Sequence, residues 1–285
     1  MFDLKHLHRP RSAEEAVRAF LETDGPGLYV AGGTIVVPTG SNSLEYLVDL
    51  TGAGLDYVRT EDTASGRMLV VGATTTMIDL VQRPELEGSE LRALREAASE
   101  MGTHTIRNRA TVGGNLFAAH FPSDLPPVML ALGARVTLQG RDGTREVALA
   151  DFYGRRSEVY SRGDLIVDVR VPLGVDGLSS AFEKTGRTRV DVAILNCAAA
   201  VAVDGGVITS ARLVLNGVSA SPFVAEEAAG LLTGKPGSAE LFEEAGALVV
   251  AGVEPRDDHR ASGEYRRKVS GVIAARALTR AADVG

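Results

Sequence analysis

Two glycine pairs in the same half of the chain, Gly32-Gly33 and Gly113-Gly114, set the tightest limit on what this sequence can build. The first follows a short apolar run, Leu28-Tyr29-Val30, that reads as a buried strand, and opens the loop Ala31-Gly32-Gly33-Thr34. Adjacent glycines free the backbone to turn successive N–H groups toward one point, a nest suited to anions and above all to a diphosphate. Taken alone, a Gly-Gly after a strand is equally a plain tight turn. The second pair lies in Thr105-Ile106-Arg107-Asn108-Arg109-Ala110-Thr111-Val112-Gly113-Gly114-Asn115-Leu116, where Thr111 and Asn115 offer side-chain hydrogen bonds to phosphate or ribose. Arg107 and Arg109 either lend positive charge there or are solvated or structural. Asp124 follows, a carboxylate able to accept from ribose hydroxyls. Two nests on one domain suit a long ligand with a central diphosphate, clasped from both sides.

Several chemistries are excluded. A formal net charge of -7 argues against nucleic-acid binding, which needs clustered Lys and Arg. No Gly-x-Gly-x-x-Gly or Gly-x-x-x-x-Gly-Lys-Ser/Thr signature is present, so neither common nucleotide fold is signalled, and there is no Gly-x-Ser-x-Gly nucleophile elbow. The single cysteine, Cys197, precludes an intrachain disulfide and an iron–sulfur cluster held by four thiolates. It lies in the apolar run Asn196-Cys197-Ala198-Ala199-Ala200 and reads as a small core residue. The five histidines show no zinc spacing, so no metal site is expected. No apolar run is long enough to span a bilayer, and Met1 to Pro10 is polar, so a cytoplasmic protein without membrane contact is expected.

Along the chain, Ser12-Ala13-Glu14-Glu15 opens an amphipathic helix with a capping box. Strands are expected at Leu28–Val30, Leu47–Leu50, Met68–Gly72, Ala134–Leu138 and Leu165–Val171, with a helix over Ser89–Met101. Ile106 to Asp124 lacks either periodicity and reads as a long ordered loop. Turn residues around Gly174 to Gly177 mark a boundary, dividing the chain into domains 1–175 and 176–285. Beyond it three strands, Ser180–Thr185, Val192–Val203 and Val207–Asn216, precede three helices, Pro222–Leu232, Ser238–Val250 and Tyr265–Ala281. That order describes an α+β domain with a sheet covered on one face.

Ala31-Gly32-Gly33-Thr34, Ile106 through Leu116, and Asp124-Leu125-Pro126-Pro127 closely resemble the FAD-binding signature of the flavin subunits of molybdenum hydroxylases, among them carbon monoxide dehydrogenase medium chains and the xanthine dehydrogenase flavin domain. Phe182-Glu183-Lys184 with Arg187 and Asp191-Val192-Ala193 resembles the start of that family's second domain, and Asp258 through Tyr265-Arg266-Arg267 its final helix. The resemblance implies a two-subdomain FAD-binding domain of the vanillyl-alcohol-oxidase (PCMH) type, followed by a small α+β domain built on a three-stranded sheet with helices. It implies FAD on the backbone of Val30, Ala31, Gly32, Gly33, Thr34, Ile35 and Val36, with Ala110, Thr111, Gly113, Gly114 and Asn115 completing the phosphate and ribose contacts. Ile106 and Phe117 line the cofactor, Asp124 lies on the adenosine side, and Leu165 and Ile166 pack by the adenine or flavin. Lys184 approaches the isoalloxazine or is an exposed lysine near a strand start.

The resemblance further implies an electron-transfer role. A molybdenum large chain oxidises the substrate, a [2Fe–2S] small chain carries single electrons, and FAD passes them to NAD or another acceptor. Two departures stand out: Ile35, where the family carries a polar residue, and His120-Phe121, where many members have Ser-Pro. They motivate an alternative, a free-standing FAD-dependent oxidoreductase with His120 as its acid–base group; His120 is otherwise a packed, hydrogen-bonded residue.

Overall fold

The computed structural model describes residues 3–40, 42–64, 66–118 and 122–282. The chain begins with β1 (His6–His8), α1 (Ala13–Glu22), β2 (Gly27–Val30), the single turn α2 (Val36–Thr39) and β3 (Tyr46–Asp49). The three strands form a parallel sheet in the order β1-β3-β2. Helix α1 starts at Ser12, whose hydroxyl accepts from the Glu15 amide, while the Glu15 carboxylate reaches back to the Arg11 amide. Its apolar stripe Ala13, Ala16, Val17 and Phe20 packs on Tyr46 and Val48. Tyr46 is fully buried and donates its hydroxyl to the Phe20 carbonyl. Gly27 has to be glycine here, because a Cβ would lie 2.1 Å from the Tyr46 ring.

A second, antiparallel sheet follows in the order β4-β5-β8-β6-β7. In chain order its surroundings are β4 (Val58–Thr63), β5 (Gly66–Gly72), α3 (Met77–Gln82), α4 (Arg92–Glu100), α5 (His104–Arg107), α6 (Val112–Phe117), α7 (Leu125–Ala131), β6 (Arg135–Gly140), β7 (Gly143–Ala148), α8 (Leu149–Gly154), α9 (Arg156–Val159) and β8 (Leu165–Pro172). The stretch Ile106 to Asp124 is therefore not one loop: α5 ends inside it and α6 lies within it, each one or two turns long. Thr103 and Thr111 cap them, their hydroxyls accepting from the Ile106 and Gly114 amides. Helices this short show no periodicity in sequence, and the caps are their only local signal. Strands β1, β4 and β7 also go beyond the expected set. The last two are solvent-facing edges rich in charge, which hides them from a reading based on apolar alternation.

The remaining sheet runs β12-β11-β10-β9, from β9 (Leu178–Thr185), β10 (Leu195–Asp204), β11 (Val207–Asn216) and the two-residue edge β12 (Phe223–Val224). It has four strands where three were expected, because Phe223-Val224 pairs with Val214-Leu215. Helices α10 (Glu226–Leu232), α11 (Ala239–Gly252) and α12 (Gly263–Ala282) cover one face, against Cys197, Ala199, Val201, Leu213 and Leu215. The expectation of a single covered face fails. Phe182, Ala198, Ala200 and Val214, on the opposite face, join the core that contains α4 and α7. Burial on both sides explains why β10 is an almost unbroken apolar run. Gly246 and Gly271 let α11 and α12 approach closely, since a Cβ on either would lie under 3 Å from the other's carbonyl oxygen.

Phe182 is 2% exposed and joins the two units. Phe182→Ala should lower stability by about 3–5 kcal/mol. Urea unfolding followed by circular dichroism measures this; an unshifted midpoint would mean that the shared core contributes nothing to holding the units together.

Candidate functional site

The two glycine loops touch. A Cβ at Gly32 would lie 1.7 Å from the Arg109 carbonyl oxygen, so backbone meets backbone there. The Arg109 side chain closes the contact from the other side, Nε donating to the Gly32 carbonyl at 3.1 Å. Gly33 adopts φ +68°, which turns the chain over into α2. Among the described residues, the amides of Gly32, Gly33, Thr34 and Ile35 make no backbone hydrogen bond within the protein. The second loop is fastened to the segment after β5: Met77 N donates to Ala110 O, Val112 N to Thr75 O, and Gly113 N to Ala73 O at 2.8 Å. Gly113 is pressed onto Ala73, whose own Cβ would lie 2.8 Å from an added one. Arg107 is structural, donating to the carbonyls of Met101 and Gly102.

Two joined spaces open around this contact. One is an apolar slot of about 140 Å³, walled by Phe20, Tyr29, Leu165, Ile166, Gly113 and Tyr160. Phe20 and Tyr29 stack at 4.6 Å. Burial pushes the Tyr160 phenol up to about 12, against the pull of Arg156, so it carries no charge at ordinary pH, and the Asp164 carboxylate that also lines the slot is paired with Arg145. The Arg156 guanidinium lies 4.3 Å above the Phe117 ring and steadies the slot's edge. The other space is an open cleft of about 660 Å³, bounded by Val30 through Val36, by Ile106, Ala110 and Asn115, by Pro122 to Asp124, and by Val190 to Val192 with Arg260. Tyr29, Ala31, Thr111, Gly114 and Phe117 border both.

The wall at Pro122–Asp124 is held by three polar side chains, one on each of three neighbouring strands. Lys184, Asn196 and Asn216 are consecutive cross-strand partners on β9, β10 and β11. Lys184 Nζ donates to Asp124 Oδ2 at 3.0 Å and to the Glu100 carbonyl. Asn196 Nδ2 donates to Asp124 Oδ1 at 2.9 Å and to the Ser123 carbonyl, which also accepts from Asn216 Nδ2. Lys184 and Asp124 side chains are only 4% and 7% exposed. Burial pushes the Asp124 carboxyl up, while Lys184 and Asn196 pull against it.

The slot and cleft thus gather Val30 to Val36, Ile106, Ala110, Thr111, Gly113, Gly114, Asn115, Phe117, Asp124, Leu165 and Ile166 around one continuous space. One expectation needs correction. Lys184 is not an exposed strand-start residue but a buried one near the end of β9, standing behind Asp124 and not on the cleft surface. Asp124 borders the open cleft, with both oxygens occupied by Lys184 and Asn196. Asn115 spends its amide oxygen on the Leu125 amide. His120 and Phe121 lie outside the described residues. Residues missed in sequence are Phe20, Tyr29 and Tyr160 in the slot, and Val190 and Arg260 on the cleft. Tyr29 stands just before the first glycine pair and was legible there; Arg260 carried no signal. Among the described residues no group of acidic, His or Cys side chains could hold a metal, and no helix is long and apolar enough to cross a membrane.

An apolar slot, a central meeting of two glycine loops of which the first has open amides, and a wider cleft match an adenine, a diphosphate and a second, larger ring system, so the residues present fit FAD. The fold and site define a flavin-binding protein of the vanillyl-alcohol-oxidase type. Residues 2–174 match the model of the FAD binding domain in molybdopterin dehydrogenase, and residues 180–281 that of the CO dehydrogenase flavoprotein C-terminal domain. The chain belongs to this family: it is an FAD-binding oxidoreductase chain of the molybdenum hydroxylases. It is 33% identical over 279 residues to the carbon monoxide dehydrogenase medium chain of Afipia carboxidovorans, covering 96% of this chain and 95% of that one. It is 30% identical to the glyceraldehyde dehydrogenase medium chain of Sulfolobus acidocaldarius, covering 95% of each. A chain of a solved Cu,Mo-CO dehydrogenase superposes with a TM-score of 0.90 at 32% identity, over 99% of both chains.

Two substitutions probe this geometry. Gly32→Ala must separate the two loops, and FAD affinity should fall at least tenfold, about 1.4 kcal/mol; Gly154→Ala, with nothing within 4 Å, should leave it unchanged. Flavin absorbance per chain after gel filtration reads both. Lys184→Met should cost about 3–5 kcal/mol at neutral pH by stranding a buried carboxylate. A carboxyl whose folded pKa is raised is tolerated once protonated, so this loss should shrink as pH falls. Urea midpoints at neutral and mildly acidic pH measure it; a loss independent of pH would contradict the pair's role.

Proposed function

We propose that this chain is the electron-transfer flavin subunit of a three-part dehydrogenase, working in the cytoplasm beside a molybdenum-cofactor large subunit and a [2Fe–2S] small subunit. The observation that carries the reading is the continuous slot and cleft whose centre is the Gly32–Arg109 contact, because it divides a long cofactor into a buried half and an accessible half. In this reading the adenine lies between Leu165 and Ile166 and the aromatic wall. The backbone of Val30 to Val36 holds the diphosphate, with Ala110, Thr111, Gly113, Gly114 and Asn115 beside it. Ile106, Phe117 and Asp124 border the rest of the cofactor. Lys184 acts from behind by fixing Asp124. Residues 1–175 form the cofactor domain and 176–285 the domain that closes the ring end.

FAD, when bound, accepts electrons singly and releases them in pairs, which suits a chain placed between one-electron clusters and NAD or another two-electron acceptor. The protein's own part is orientation and access. The loops leave one end of the cleft open, and its rim carries the exposed apolar residues Ile35, Ile106, Val190 and Val192. An exposed apolar rim around a cofactor cleft is suited to a protein partner, since such patches are costly on an isolated surface. The single Cys197 is fully buried, with its thiol pushed up by burial, and so is no ligand for a cluster of this chain's own.

Native expression followed by gel filtration with visible spectroscopy tests the assignment. A complex far larger than the chain, carrying flavin and iron–sulfur absorbance, is expected. On reduction by substrate under anaerobic conditions, NAD should reoxidise its flavin and yield NADH. Reoxidation by a quinone and not by NAD would reassign the acceptor. A yellow chain of its own mass that oxidises a small molecule unaided would overturn the subunit role.

A further inference from the structure

We infer that Arg260 sets the redox potential of the bound flavin by stabilising the negative charge that arrives on its ring upon reduction. The inference rests on the placement of FAD given above and concerns only the ring end of the cleft. With the adenine in the apolar slot and the diphosphate at the glycine pairs, the ring occupies the remaining space, bordered by Pro122–Asp124, Val190–Val192 and Arg260. Among the described residues, those of the second domain that border the cofactor space are Val190–Val192 and Arg260.

Among the described residues bordering the cleft, Arg260 is the cation, and Asp124 and Asp191 are the anions. Each carboxylate already faces a cation of its own: Asp124 has Lys184 at 3.0 Å, and Asp191 has Arg187 at 3.9 Å. The Arg260 side chain is 16% exposed and is held in place from its base. Its amide donates to Asp258 Oδ1 at 2.8 Å, and Nη1 lies 3.4 Å from Asp258 Oδ2. Asp258 in turn takes Arg266 Nη2 at 2.7 Å, and the Arg266 Nη1 is anchored on the carbonyls of Ile194 and Gly217. Burial works against the Asp258 charge, but the Arg260 and Ala261 amides and the Arg266 guanidinium outweigh it and hold its carboxyl well below the usual range. One carboxylate thus serves two guanidiniums, and the trio carries one net positive charge.

A flavin that takes up two electrons and one proton, the electrons coming from the iron–sulfur partner, is left with one negative charge spread over N1 and the C2 oxygen. A fixed cation beside that region favours the reduced form over the oxidised one. It does so without binding the oxidised cofactor more tightly, which is the property that shifts a potential.

The test compares the wild-type FAD-loaded chain with Arg260→Met and Arg260→Lys by spectroelectrochemical titration, with flavin content and the near-ultraviolet spectrum of the reduced state read alongside. Arg260→Met should bind oxidised FAD as the wild type does. It should lose about tenfold in preference for the reduced form, a fall of about 30 mV for two electrons. Its reduced spectrum should shift from the anionic toward the neutral form. Arg260→Lys, which keeps the charge, should stay within about threefold of wild type. A full tenfold loss there would overturn the proposal, and this decides the matter if Arg260→Met does not fold. An unchanged potential in Arg260→Met would overturn it too, and an accompanying rise in KM for an anionic acceptor would assign Arg260 to the acceptor. Equal weakening of both redox states would mean that Arg260 only holds the cofactor. A colourless wild-type chain would instead sink the cofactor placement itself.

Discussion

Three polar side chains on the inner face of the C-terminal sheet hold the molecule's parts in register. Lys184, Asn196 and Asn216 lie side by side across β9, β10 and β11, and together they grip Pro122, Ser123 and Asp124. Immediately along the same strands the face turns apolar, and Phe182, Ala198 and Val214 enter the core of the first domain. The apolar part supplies adhesion, which is roughly proportional to area and has little directionality. The polar row supplies position, because hydrogen bonds and a buried ion pair hold only at one offset. A slip of one residue would turn Glu183 toward Asp124 and Lys184 toward the helix-covered face, so the sheet has one register on its partner.

That clamp explains why the cleft wall is stable although it is made of irregular chain. Pro122 to Asp124 has little regular structure of its own, yet its carbonyls and carboxylate are satisfied from the neighbouring sheet. The first glycine loop is similarly fixed from outside itself, by Arg109 through its carbonyl and its guanidinium. In both places a loop that must present backbone to a ligand is held by residues distant in sequence. Local rigidity there comes from tertiary contact and not from propensity.

The division between what was and was not legible in the sequence follows the same line. The glycine pairs, the capped helix at Ser12, the apolar strands and the C-terminal helices announce themselves through local rules, and they recur within a few residues of where they were expected. The short helices around Gly113 do not, because four to six residues carry no period; nor do the charged edge strands β4 and β7. Asn196 and Asn216 were visible as polar residues in otherwise buried strands, the one clue to the clamp. The exposure of Lys184 was misjudged because its partner, Asp124, is sixty positions away in sequence, and pairing across that distance is set by topology alone. Arg260 sits in a polar turn like many others, and only the fold brings it to the cleft.

Backbone and side chains also divide the cofactor space between them, and this bears on how such a chain diversifies. At the first glycine loop the surface offered to a ligand is amide groups, and Gly32 and Gly113 leave no room for side chains, so this part resists change. At the ring end the surface is Ile35, Val190, Val192, Asp191 and Arg260, drawn from loops of both domains. Substitutions there disturb neither the Gly32–Arg109 contact nor the Lys184–Asp124 clamp. Potential and acceptor choice can therefore vary at one end of the cleft while cofactor retention stays fixed at the other. The departure from the family pattern at Ile35 falls where this division allows it, on the open side of the first loop, with both glycine pairs intact.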